Sequence, residues 1–348
     1  MIHQLGMLLL EVTRWVASTV WASAKYFDTS YLVAAFIVFW WYRRQPRRKT
    51  SSSFAGLHDS TGTVLSILSD DLSYDSSLSD ASEVNQPLND PLWDVKVPSA
   101  TPQERQRFYI GTKGDLRSAI HNLQQYLEWK TKHKTLEWEI RSSVTLTGNQ
   151  DIDDWRIAVA VAAKSCGETV DVVQVPQMGT THTMKNGEPM RDQEGNRIIH
   201  IIPGRMDDRL ISLRTYALAS ALYMDRKMDP NSLECMTVLI DVRGGLGWRN
   251  PNGAQLLPFI QSTSSLLLSL FPERLAKCYV YPMPPSFEWV WKLVHRCLDP
   301  MTAEKIGVLT GPATIHSPPP IEAMEAYLDA EVIERLEAYR VSFFVNKK

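Results

Sequence analysis

The chain has 348 residues, with 37 Lys and Arg against 39 Asp and Glu and a formal net charge of -2, so no bulk field draws it to nucleic acid or to an anionic surface. Its length sets a prior of about two domains. Its four cysteines (Cys166, Cys235, Cys278, Cys297) are far apart and form no CxxC pair, which argues against zinc and against a disulfide framework.

The first 49 residues read as a membrane element. Leu5, Leu8, Leu9, Val12, Trp15 and Val16 recur at helical spacing, with Glu11, Arg14, Ser18 and Lys25 on the other side, as in a helix lying in a bilayer interface. Residues 29–42 are an uncharged run of 14 ending in FWWY, followed by RRQPRRK. At about 1.5 Å per residue the run falls short of the ~30 Å hydrocarbon core, so whether it spans or lies in plane stays open. The cations hold its end on the cytosolic side. A cleaved leader is the rival reading, because Ala22-Ser23-Ala24 resembles a signal-peptidase site; a buried core helix is the third. Residues 50–101 are rich in Ser, Asp and Pro and poor in aromatics, as in SDDLSYDSSLSDASE, and read as an unfolded acidic linker. Serines before acidic residues there suit phosphorylation.

Order is expected from Pro102. The apolar stripe Leu116, Ile120, Leu123, Leu127 and Trp129 predicts a helix over 114–133, and IDDWRIAVAVAAK another over 152–164. From about residue 190 the pattern alternates: strand 197–202, helix 208–226, strand 236–242, helix 254–271 with an interior Pro258, strand 278–284, helix 287–298, strand 306–309. Alternation of this kind predicts an α/β fold with a mostly parallel sheet. The helix FEWVWKLVHRCL is apolar almost all round, which fits burial or contact with lipid.

The search for catalytic groups is empty. RGGLGWRN (243–250) follows a strand, but Asn250 holds the place of the last glycine in a dinucleotide loop and PNG delays the next helix. No Walker A lysine and no G-x-S-x-G elbow occur. His182, His200 and His295 lack metal-ligand spacing and read as surface or satisfied core residues. No metal and no cofactor is expected, and a binding module is favoured over an enzyme. One constellation remains: Glu273 in FPERL and Lys305 in TAEKIGVL each stand just before a strand, so a parallel sheet puts them on one edge. The spacing alone leaves a structural ion pair and a ligand contact equally open.

The run from MTVLIDVRG through FPERLAKCYVYPMPPSFEWVWKLVHRCLDPMTAEKIGVL strongly resembles the CRAL-TRIO, or Sec14-like, lipid-binding family. The resemblance rests on a strand ending in D-x-x-G, a helix ending in F-P-E-R, a helix ending in L-D-P-x-T, and x-x-K-I opening the last core strand. It extends loosely over residues 102–348, with DQEGNRIIHI similar to the family's D-x-x-G-R-P-V segment. It implies a helical subdomain at 102–165 and a lipid-binding domain at 166–348, with an apolar pocket under a gate helix bearing Phe287, Trp289, Val290, Trp291, Leu293 and Val294. It further implies a headgroup site at Glu273, Thr302 and Lys305, of the phosphatidylinositol-binding type. The family's R-F-L-R-A-R-K run appears here as RFYIGTK (107–113), where Ile110 and Thr112 replace arginines; Lys113 then serves as the remaining cation.

The expectation is a membrane-tethered carrier whose ligand is a phospholipid, with phosphatidylinositol the expected one, and whose membrane contact is through residues 5–42. A lipid kinase or a contact-site protein is the expected partner, nucleic acid is not, and the endoplasmic reticulum is one home membrane that fits. A tocopherol- or retinoid-like cargo, or a scaffold without transfer, are the alternatives.

Overall fold

In the computed structural model residues 90–285, 291 and 304–344 are described. The expected anchor (5–42) and most of the acidic linker lie outside them. The linker's C-terminal end differs from expectation. Pro91–Lys96 is a helix, α1, whose first turn is capped by the Asp90 carboxylate accepting from Leu92 N–H at 2.8 Å. Its Trp93 is fully buried and packs in one cluster with Phe108, Leu123 and Tyr126. The composition of the whole linker misleads here because one buried aromatic contributes about 3 kcal/mol, enough to order a short segment around it.

Helix α2 (Pro102–Gly111) starts from a Thr101/Glu104 capping box with proline in its first turn. Helix α3 (Leu116–Ile140) is capped by Asp115 and runs past the expected residue 133, because TLEWEI contains no breaker. Helix α4 (Gln150–Cys166) opens on an Asn149 cap and closes on Gly167 at φ 73, a left-handed position that suits glycine. Its Trp155, Ile157, Val159 and Val161 belong to the largest core cluster.

The sheet follows. Strands β1 (Gly179–Thr180), β2 (Arg197–Ile201), β3 (Met236–Asp241), β4 (Leu275–Met283) and β5 (Ile306–Thr310) lie side by side in chain order. β1 is antiparallel to β2; the other neighbours are parallel. Helix α5 (Leu213–Lys227) joins β2 to β3 and α6 (Gly253–Leu270) joins β3 to β4. α5 begins at a Ser212 cap, five residues later than expected, because residues 207–210 form a turn held by Asp207 and Arg209.

Side chains alternate between the two faces, as a pleated strand requires. Ile199 and Ile201 pack toward α5 and α6. Ile198, Leu239, Tyr279, Tyr281 and Leu309 pack against two helices that the strand–helix reading did not include, α7 (Ile321–Met324) and α8 (Ala330–Ser342), through Met324, Leu328, Val332, Ile333 and Leu336. Helices therefore cover both faces, the condition under which a parallel sheet is stable. Among the described residues no helix is long and apolar enough to cross a membrane.

Candidate functional site

Helix α6 ends at Leu270, and Phe271-Pro272-Glu273-Arg274 turns the chain into β4. Glu273 takes φ 56, a left-handed conformation that costs a non-glycine residue about 1 kcal/mol. The turn is held from behind. Arg274 donates to the carbonyls of Glu234 and Asp229, both at 2.7 Å, and Cys235 Sγ donates to the Glu273 carbonyl at 3.4 Å. Lys305 immediately precedes β5. Because β4 and β5 are parallel, both side chains emerge at the edge where the strands begin. Lys305 Nζ lies 3.7 Å from Glu273 Oε2, with 34% and 39% of the two side chains exposed. At that distance the two attract as charges, while most of their hydrogen-bonding capacity is left over.

Lys113 sits in the turn between α2 and α3, exposed and also at φ 56. The preceding Gly111 shows how this turn meets the first: a Cβ there would stand 2.6 Å from Pro272 Cβ, so only glycine allows α2 to seat on the Pro272–Glu273 turn. Arg107, the residue that keeps the family's arginine in RFYIGTK, is buried and donates to Ser232 O at 3.3 Å. Thr302 and the gate positions Phe287, Trp289, Val290, Leu293 and Val294 lie outside the described residues; Trp291 is described and is partly buried.

The sheet adds a surface that sequence reasoning did not single out. On the face toward α5 and α6, the register aligns Ile199, Val238, Cys278 and Ile306 in one row across the four parallel strands. Ile201, Ile240, Val280 and Val308 form the next. The result is a continuous apolar wall, with Ile240, Cys278, Ile306 and Val308 only partly covered. Its signal was present as every second residue of each strand, but only the register shows that the rows align. Burial pushes the Cys278 thiol up to about 12, so it stays a neutral, apolar group in this wall.

Residues 181–335 match the model of the CRAL/TRIO domain family. The chain carries a CRAL/TRIO domain. This is a lipid-binding module, and Glu273, Lys305 and the apolar wall all fall inside it, whereas Lys113 and α1 to α4 precede it. Among solved structures, the crystal structure of Sfh5 is similar at 16% identity and a TM-score of 0.40, over 60% of this chain and 64% of that one. The chain thus spans less than two thirds of that structure's length. None of the curated proteins compared with the chain matches it.

A second charged cluster lies at the opposite ends of the strands, joining the CRAL/TRIO match to Glu337 and Arg340 just beyond it. Arg243 and Asp241 are 1% and 0% exposed. The Arg243 guanidinium donates to Asp241 at 2.6 Å, to Glu337 of α8 at 2.6 Å and to Ser317 O at 2.7 Å. Burial works against its charge, but the bonds to Asp241 prevail and hold its pKa above the ordinary value. Arg340 donates to the carbonyls of Gly244 and Ile315. The following loop is closed on itself: Gly245 N–H donates to Asn250 Oδ1 and Asn250 Nδ2 to Gly245 O, both at 2.9 Å. RGGLGWRN therefore spends its polar groups on the fold rather than on a phosphate. His200 is fully buried between His182 and the Tyr281 hydroxyl, a satisfied core histidine. Cys166, Cys235 and Cys278 are free thiols, and no metal-ligand cluster occurs among the described residues.

Proposed function

We propose that the protein is a membrane-tethered lipid carrier that takes up phosphatidylinositol, holding the acyl region against the apolar wall and the headgroup at Glu273, Thr302, Lys305 and Lys113. The observation that carries this reading is the half-exposed Glu273–Lys305 pair. A carboxylate and an ammonium 3.7 Å apart retain donors and acceptors for a polyol phosphate. Ile240, Cys278, Ile306 and Val308 supply the partly uncovered apolar surface that an acyl chain needs. The apolar FEWVWKLV segment is the proposed gate, with Phe287, Trp289, Val290, Trp291, Leu293 and Val294 moving between pocket and bilayer.

The N-terminal segment 5–42 is the proposed anchor. As an unfolded tether, the segment 43–89 would have a typical span on the order of 40 Å, enough for exchange at the home membrane or across a contact. A carrier of this kind has no reacting atom to transform and presents its lipid to another protein, of which a lipid kinase is the proposed example. The endoplasmic reticulum is the proposed home.

The test is mass spectrometry of lipid extracted from the purified chain after exposure to mixed liposomes. About one phosphatidylinositol per chain, lost in the Glu273→Ala/Lys305→Ala double variant with the fold intact, is the expected result. A different lipid, unaffected by the double variant, removes the headgroup assignment.

A further inference from the structure

Helices α3, α4 and α5 leave a cleft between them, and helical spacing sets its walls. Trp129 and His133 stand one turn apart on α3, Ile157, Ala158 and Val161 share one face of α4, and Leu222 comes from α5. The cleft measures about 390 Å³, within the range of small-molecule sites. It shares no residue with the Glu273–Lys305 pair or with the apolar wall of the sheet. Ile157, Ala158, Val161 and Leu222 are all buried, so its floor is apolar.

The charges at its rim are spent on one another. Arg226 donates to Asp154 at 2.9 Å and also to Glu137, and Lys227 donates to Asp154 at 2.7 Å. Asp225 accepts from the Tyr126 hydroxyl at 2.7 Å and lies 3.9 Å from Lys130. With the exposed Lys134, the cations Lys130, Lys134 and Arg226 balance the carboxylates Glu137, Asp154 and Asp225, so no net charge selects an ionic ligand.

One polar atom is left over. His133 is 6% exposed, and its Nδ1 lies 2.7 Å from the Trp129 carbonyl oxygen. A carbonyl only accepts, so Nδ1 carries the proton. Burial lowers the pKa of the ring, which is therefore neutral at neutral pH, with a bare lone pair on Nε2. Nδ1 is turned back to the backbone of α3; Nε2, across the ring, is directed away from it. Nε2 has no hydrogen-bond partner. Lys130, Lys134, Gln150 and Arg226 are donors in the same lining, and none of them reaches it. A buried acceptor without a donor destabilises a fold, and native folds keep few of them. Since Nε2 is sealed from bulk solvent, its donor has to arrive on an apolar body.

We infer that the cleft between α3, α4 and α5 binds an uncharged apolar molecule bearing one hydroxyl, which donates to His133 Nε2 while the body of the molecule lies on Ile157, Ala158, Val161 and Leu222. The Trp129 ring, 4.8 Å from the His133 ring, makes the side wall and favours a flat aromatic ligand. The site is separate from the lipid-carrier reading and does not depend on it.

The experiment is a fluorine NMR titration of the purified full chain with a fluorinated naphthol, set against the fluoronaphthalene that lacks the hydroxyl. The naphthol is expected to bind saturably and about tenfold more tightly than the naphthalene, the worth of one hydrogen bond. His133→Phe keeps a ring against Trp129 and removes the acceptor, and is expected to bring the naphthol down to the affinity of the naphthalene. No saturable binding, equal affinity of the two probes for the native chain, or an unchanged naphthol affinity in His133→Phe overturns the proposal. Loading the native chain with lipid from mixed liposomes separates this cleft from the carrier pocket. Naphthol affinity is expected to hold, and displacement of the naphthol by lipid overturns the proposal. The probe comparison and the lipid competition use the native chain, so they decide the matter even where the variant fails to fold. A chain that takes up no lipid defeats the carrier reading and leaves the two probes to decide the cleft.

Discussion

The Asp241–Arg243–Glu337 cluster and the Glu273–Lys305 pair are built from the same chemistry at opposite ends of the same strands. The first is closed. Its arginine is 1% exposed, and its donors are taken up by two carboxylates and a backbone carbonyl. The second is open, about a third exposed, with one contact at 3.7 Å. A closed cluster ties α8 to the sheet and has nothing left to offer a ligand. An open pair contributes little to stability and keeps its hydrogen-bonding groups available. Exposure and unfilled hydrogen bonds, rather than charge, separate the structural site from the candidate binding site.

The contrast can be broken most directly at Arg243. Arg243→Ala leaves buried Asp241 with only Arg340, 3.4 Å away, and is expected to cost about 3 kcal/mol, read as a lower midpoint in urea unfolding. A cost under 1 kcal/mol would show that the cluster is not the closed element described here.

A smaller effect belongs to the histidines on the α8 side of the sheet. Burial lowers His182 to about 4 and holds His200 well below its ordinary value, so both are neutral in the fold. Above about pH 6.5 the folded and unfolded chains bind the same protons at these sites. As pH falls from about 6.5 toward 4, the unfolded chain takes up protons that the fold refuses, and stability declines. Melting temperature measured across that window should fall, with a shallower slope in His182→Asn.

The smallest stability effect is expected at the open pair. Glu273→Ala with Lys305→Ala should change unfolding free energy by less than about 1 kcal/mol, as for other exposed pairs. Phosphatidylinositol loading should nevertheless fall at least about tenfold, the loss of roughly 1.4 kcal/mol of headgroup contact. A large loss of stability instead would make the pair structural and sharpen the contrast out of existence.

Much of the CRAL/TRIO domain was legible before the structure. Strands and helices alternate with apolar periods clear enough to place β2 to β5, α4 and α6 within about three residues, whereas α3 runs seven residues further and α5 starts five later than the pattern predicts. The FPERL and TAEK segments marked Glu273 and Lys305. α1 was not legible, because PLWDVK is only six residues long at the end of a Ser- and Asp-rich stretch and becomes a helix only when Trp93 finds Phe108 and Leu123. α8 escaped too: AEVIERLEAYRVS has an apolar stripe, but its role is set by Tyr279, Tyr281 and Leu309, which lie far from it in sequence.

The sequence by itself determined which residues carry charge, which strands are apolar on alternate positions, and that two charged groups precede parallel strands. Those are local properties, written in side-chain type and spacing. Tertiary structure alone decided that Arg243 is sealed while Lys305 is open, and that four strands align their apolar residues into one wall. Each of these depends on register and on burial by distant segments. A residue's solvation, and with it the meaning of its charge, is a property of what the rest of the chain folds over it.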